Sequence, residues 1–136
     1  MERKRRTFFR TFAAVLTGAS IVPLSRNAFA RQKAKTAFIH HVYFWLKNPD
    51  DKGEREIFEK ALKELGSIES ISLLHIGRPA DTDRDVIDNT YHYSFLIGFK
   101  DRAGHDIYQE HPIHDKFRNE YAHMWTKVLV YDSVDI

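Results

Sequence analysis

With 136 residues, 43% hydrophobic and 13% aromatic, the chain has the length for one domain and the apolar content for a packed core. It contains no cysteine, which excludes disulfides, thiolate metal sites, a thiol nucleophile and a lipid anchor on Cys. The formal charge of +2 is uneven along the chain, because six of the 21 lysines and arginines and one of the 19 acidic residues lie in residues 1–30. The remaining 106 residues hold 15 basic and 18 acidic groups, a net charge of −3. That balance, without any Lys/Arg run, excludes the electrostatic footprint of a nucleic-acid binder.

Residues 1–30 read as an export signal: a basic head, a mildly apolar middle from Thr11 to Leu24, and the small-x-small ending Ala28-Phe29-Ala30. The stretch Lys4-Arg5-Arg6-Thr7-Phe8-Phe9-Arg10 resembles the twin-arginine pattern S-R-R-x-F-L-K. Cleavage after Ala30, passage through the twin-arginine translocase and a periplasmic or exported location are the expectations. Residues 31–35 form a short linker, and 36–136 the domain.

Ala34 to Lys47 alternates, with Phe38, His40, Val42, Phe44 and Leu46 on one face and Ile39, His41, Tyr43 and Trp45 on the other. This predicts a strand with two busy faces. Asn48-Pro49-Asp50 is a turn, and Ile57, Phe58, Ala61, Leu62 and Leu65 then mark the apolar stripe of a helix ending at Gly66. Ile68 to Gly77 reads as a second strand, Arg78 to Asn89 as a polar loop, and Tyr91 to Lys100 as a third strand. Asp101 is placed to cap a second helix, which pauses at His111-Pro112 and resumes through Phe117, Tyr121 and Met124. Lys127 to Ile136 is the last strand.

The order β-α-β-β-α-β predicts a ferredoxin-like α+β sandwich, an antiparallel sheet with both helices on one face. The other face carries aromatics and histidines and needs a cover. A homodimer, sheet against sheet, is the economical solution.

Five stretches of this chain resemble the stress-responsive dimeric α/β-barrel (Dabb) family: Ile39 to Lys47, Gly77 to Ala80, Tyr91 to Phe99, YQEHPIH from Tyr108 to His114, and Val128 to Ser133. The Tyr-x-x-His-Pro-x-His element is the most specific. The resemblance implies two sheets packed into a barrel and a pocket between sheet and helices in each subunit. Family members include a cofactor-free plant cyclase that closes a polyketide chain by aldol condensation. Its catalytic tyrosine and histidine fall on Tyr108 and His114. A pocket histidine of its first strand falls on His41, and one of its third strand falls near Tyr93, where this chain departs from the pattern.

The residues support the same pair on chemical grounds. Pro112 suits the first position of a helix, which makes His111 the natural cap and places His114 in the first turn. There the helix dipole lowers the imidazole pKa and keeps it a neutral base, while Tyr108 on the preceding turn can donate a hydrogen bond to a carbonyl becoming an enolate. Tyr43 and His111 join His41 and Tyr93 as candidate contacts for a small apolar substrate. A metal held by His111, His114 and His40 or His41 has no H-E-x-x-H or H-x-H pattern behind it, and neither metal nor cofactor is expected. His75, His105 and His123 carry no motif, and the acidic loop of Asp81, Asp83, Asp85 and Asp88 lacks the glycine and terminal glutamate of an EF-hand. The expected activity is that of a lyase, cyclase or isomerase; the alternative is a binding module that holds a hydrophobic ligand without chemistry.

Overall fold

The computed structural model describes residues 38–136. The export signal, its cleavage site at Ala30, the linker 31–35 and the first residues of the predicted first strand lie outside the described residues. Four strands, β1 (Phe38–Leu46), β2 (Ile71–Gly77), β3 (Tyr93–Phe99) and β4 (Trp125–Val134), form one sheet in the order β2-β3-β1-β4 with every pairing antiparallel. Three helices, α1 (Lys52–Leu65), α2 (Arg102–Gln109) and α3 (Pro112–Tyr121), are followed by a 3-10 turn at Ala122–Met124. This is the ferredoxin-like α+β arrangement. Among the described residues no helix is long and apolar enough to cross a membrane.

The alternation of β1 decides which face is covered. Phe38, His40, Val42, Phe44 and Leu46 are buried in strict alternation with half-buried neighbours. The buried set meets Tyr93, Phe95, Ile97 and Phe99 of β3 on one side and Phe58, Ala61, Leu62 and Leu65 of α1 on the other. Phe44, Phe58, Phe117 and Trp125 interlock, with ring centres 5.2 to 6.1 Å apart. Burying each such side chain contributes about 1.5–3 kcal/mol.

Local signals set the helix ends. The Asp51 carboxylate accepts from the Glu54 N–H at 3.0 Å to start α1, and the Asp101 carboxylate accepts from the Gly104 N–H at 2.9 Å to start α2. The predicted pause falls where Glu110 and His111 separate α2 from α3, with Pro112 opening the new helix.

Some boundaries differ from the sequence expectation. Ile68 to Ser70 are not in β2, because Ile68 turns inward to join the core and its carbonyl accepts from the Ile71 N–H at 3.1 Å. The last strand begins at Trp125, which pairs with Leu46, rather than at Lys127. Ile57, assigned to the apolar stripe of α1, is 53% exposed, and the face that α1 buries is formed by Phe58, Ala61, Leu62 and Leu65.

Candidate functional site

Tyr108 in α2 and His114 in the first turn of α3 meet across the break between the helices, with ring centres 4.6 Å apart. The break makes this possible: a continuous helix would place residues six apart on different faces, whereas the restart at Pro112 turns His114 back toward Tyr108. The His114 Nδ1 lies 3.0 Å from the Gln109 carbonyl oxygen. A carbonyl can only accept, so Nδ1 carries the proton and Nε2 holds the basic lone pair. Burial, first of all, holds the His114 pKa below its ordinary value, and the nearby Arg118 and His40 act in the same direction against the Gln109 carbonyl and Asp115. The direction agrees with the helix-start argument, although burial is the principal cause. Burial likewise pushes the Tyr108 hydroxyl pKa up.

Both side chains line a cavity of about 230 Å³ between the sheet and the α2–α3 corner. Its apolar walls include Val42 and Phe44 of β1, Phe95 of β3, and Val128 and Val130 of β4. The polar groups in its lining are His40, Tyr108, Gln109, His114 and Arg118. Val128 and Val130 remain 45% and 43% exposed, so the cavity opens along the β4 edge, which the helices leave uncovered.

His40 is the β1 histidine of this cavity. Its Nδ1 donates to Asp132 Oδ1 of β4 at 2.6 Å, across the Asp132–His40 register. The carboxylate fixes the tautomer and leaves Nε2 as the second ring nitrogen. Burial lowers the His40 pKa more than Asp132 raises it.

The other sequence candidates lie elsewhere. His41 and Tyr43, expected beside the pair, project from the uncovered face: strand alternation sends every second residue of β1 away from the helices. There the two rings lie tilted with centres 4.2 Å apart and the Tyr43 hydroxyl 3.1 Å from His41 Nδ1, and buried His41 Nε2 meets no partner among the described residues. Tyr93 is on the covered face but beyond the cavity wall, beside α1, where its hydroxyl donates to Glu59 at 2.6 Å and Arg78 stands 5.9 Å from its ring centre. Burial and the Glu59 carboxylate push its pKa up to about 12. His111 caps α3, its Nδ1 accepting from the Ile113 N–H at 3.1 Å, and its Nε2 points toward Glu69, 3.6 Å away. It is absent from the cavity lining. His92 is likewise structural: its Nδ1 accepts from the Leu46 N–H at 2.7 Å.

Sequence reasoning missed His40, Gln109, Arg118 and the β4 valines as cavity residues. For His40 the signal was present, since the alternation groups it with Phe38, Val42 and Phe44. The others depend on where β4 and α3 pack, which no local pattern encodes.

A family model described as the stress responsive A/B barrel domain matches residues 38–135. Among solved structures, the chain is similar to a dabb family protein with a ferredoxin-like fold from Mesorhizobium loti, at 28% identity and a TM-score of 0.62, covering 74% of this chain and 98% of that one. It is also similar in fold to a dimeric ferredoxin-like protein of unknown function from Thermobifida fusca, at 18% identity and a TM-score of 0.59, covering 74% and 92%. A hydroxynitrile lyase from Passiflora edulis shares the fold at 15% identity and a TM-score of 0.61, covering 75% and 95%. No curated protein matches the sequence.

Proposed function

The chain belongs to the stress-responsive A/B barrel domain family, and from that premise we propose that it is a homodimeric enzyme performing acid–base chemistry on an apolar carbonyl compound, as a lyase, cyclase or isomerase. The observation that carries this reading is the Tyr108–His114 pair at 4.6 Å in the wall of an otherwise apolar cavity. His114, held neutral, takes a proton from the carbon next to the carbonyl through Nε2. Tyr108, whose raised pKa keeps its proton in place, donates a hydrogen bond to the carbonyl oxygen as negative charge develops there. The apolar walls lower the local dielectric around the pair, so that hydrogen bond is worth more than it is in bulk solution. The Passiflora neighbour, a lyase on the same fold, supports the reaction class.

Pairing is supported by the Thermobifida neighbour, described as dimeric, and by the aromatic and apolar side chains left on the uncovered sheet face. Export through the twin-arginine route to the periplasm rests on the pattern of residues 1–30, with the translocase a transient partner.

The test is solvent-deuterium incorporation next to the carbonyl of a panel of aliphatic and aromatic ketones, followed by NMR. Wild type exchanges at least one member of the panel, while His114→Ala and Tyr108→Phe lose the exchange and keep the circular dichroism of the folded chain. Exchange retained in both variants would sink the acid–base reading. A ligand that binds tightly in wild type, with no exchange anywhere, would make the cavity a holding site instead.

A further inference from the structure

Outside the Tyr108–His114 pair, three metal-ligating side chains converge at the sheet edge beside the cavity. His40 of β1, His105 of α2 and Asp132 of β4 each bring one donor atom to within 4.8 Å of the other two. They are 65 and 27 residues apart along the chain, so no sequence spacing announces them. His40 and His105 are buried at 6% and 7% exposure with ring centres 5.2 Å apart, while the Asp132 side chain is 46% exposed. The cluster is therefore walled by protein on the imidazole side and open to solvent on the carboxylate side.

We propose that His40, His105 and Asp132 form a binding site for a divalent transition metal, with Zn²⁺ the best-matched ion. Two imidazole nitrogens and one carboxylate oxygen are the donors that borderline ions such as Zn²⁺ and Co²⁺ accept, whereas Mg²⁺ and Ca²⁺ require oxygen throughout. Two neutral imidazoles and one carboxylate neutralise half of the ion's charge, and the exposed side supplies water for the remaining positions. The donor atoms need only close from their present separations onto an ion about 2.0–2.2 Å from each.

The surroundings suit such a site. The His105 Nδ1 lies 3.4 Å from Asp106 Oδ1 and its Nε2 lies 3.1 Å from Gln109 Nε2. Whichever nitrogen takes the ion, the other keeps a polar neighbour that fixes the ring. Phe38 stacks on the His105 ring with centres 4.4 Å apart, which holds the imidazole in place. An ion on His40 Nδ1 takes the place of the hydrogen bond now made to Asp132, and the ring proton moves to Nε2, so His40 binds as a neutral imidazole and Asp132 as a carboxylate. Neither Tyr108 nor His114 contributes a ligand, and the site stands whether or not the cavity performs chemistry. Because His40 also lines the cavity, metal loading would fix one of its polar walls.

The experiment is titration of the chelator-stripped full chain with Co²⁺, read by its visible absorption, and with Zn²⁺, read by calorimetry and by the shift in Tm. Wild type binds one ion per chain, develops the Co²⁺ band of a low-coordinate site, and melts higher with Zn²⁺. Asp132→Asn and His105→Gln each weaken binding at least tenfold and remove the band, while His111→Gln and His123→Gln leave both unchanged. Asp132 is largely exposed, so its variant keeps the test valid even if His105→Gln fails to fold. The proposal is overturned if wild type shows no band, if Asp132→Asn binds as wild type does, or if His111→Gln abolishes binding.

Discussion

His40 and His41 are consecutive on β1, yet one sits in a cavity wall bonded to Asp132 and the other lies on the uncovered face against Tyr43. On the covered face, Phe95, Ile97 and Phe99 of β3 are fully buried by helices of the same chain. On the opposite face, Leu73 and Tyr131 remain 43% and 59% exposed, and the Tyr43 ring lies edge-on to Tyr91 and Tyr131. The comparison teaches that one face is complete within the chain and encloses the candidate chemistry, while the other is left uncovered and is the surface on which the proposed pairing with a second copy rests. A strand can serve both purposes because its side chains alternate.

The largest test of this contrast removes a ring from each face. Phe58→Ala, in the covered core, is expected to cost about 3–5 kcal/mol in denaturant unfolding, independent of protein concentration. Tyr131→Ala should instead act through the concentration-dependent part of the unfolding free energy and shift sedimentation toward the monomer. Equal, concentration-independent losses would erase the distinction between the faces.

A smaller effect sharpens the covered face. The folded His114 pKa lies below its unfolded value near 6.5, so below that pH the unfolded chain binds more protons and stability falls as the solution is acidified. Wild-type Tm should therefore drop on going from pH 7 toward pH 5, with a shallower drop in His114→Gln. An identical pH slope in the variant would mean that the buried imidazole is not the group responsible.

The smallest expected change lies at the junction that brings the pair together. His111→Ala removes the side chain that accepts from the Ile113 N–H and should cost about 1 kcal/mol in thermal unfolding. If the cap also aims His114, ketone exchange will fall more than this loss of stability explains; exchange unchanged after correction for folded fraction confines His111 to capping.

Much of this architecture was legible in the chain. The 2-residue alternation of Phe38 to Leu46, the capping aspartates and the Pro112 restart are local rules, and each element appears within a few residues of where those rules put it. The pairing of Tyr108 with His114 was legible because a two-residue helix break between them brings its two flanks together. His40 was half legible: its face followed from alternation, but the choice between His40 and His41 turned on which face the helices cover. Trp125 and Ile68 departed from expectation because β4 registers against Leu46 and the α1–β2 turn tucks into the core, both long-range events.

By itself, then, the sequence determined the order and type of the elements, the amphipathic face of each, and the acid–base residue types of the Tyr-x-x-His-Pro-x-His segment, because these depend on spacings of a few residues. Only the tertiary structure decided that His40 lines the cavity, that Asp132 and His105 stand beside it, and that Val128 and Val130 form its open edge. Those residues come from strands and helices distant in the chain, and their proximity follows from the β2-β3-β1-β4 order and the packing of α2 and α3 on it. Loop closure and burial bring them together, and neither leaves a local trace in the residues themselves.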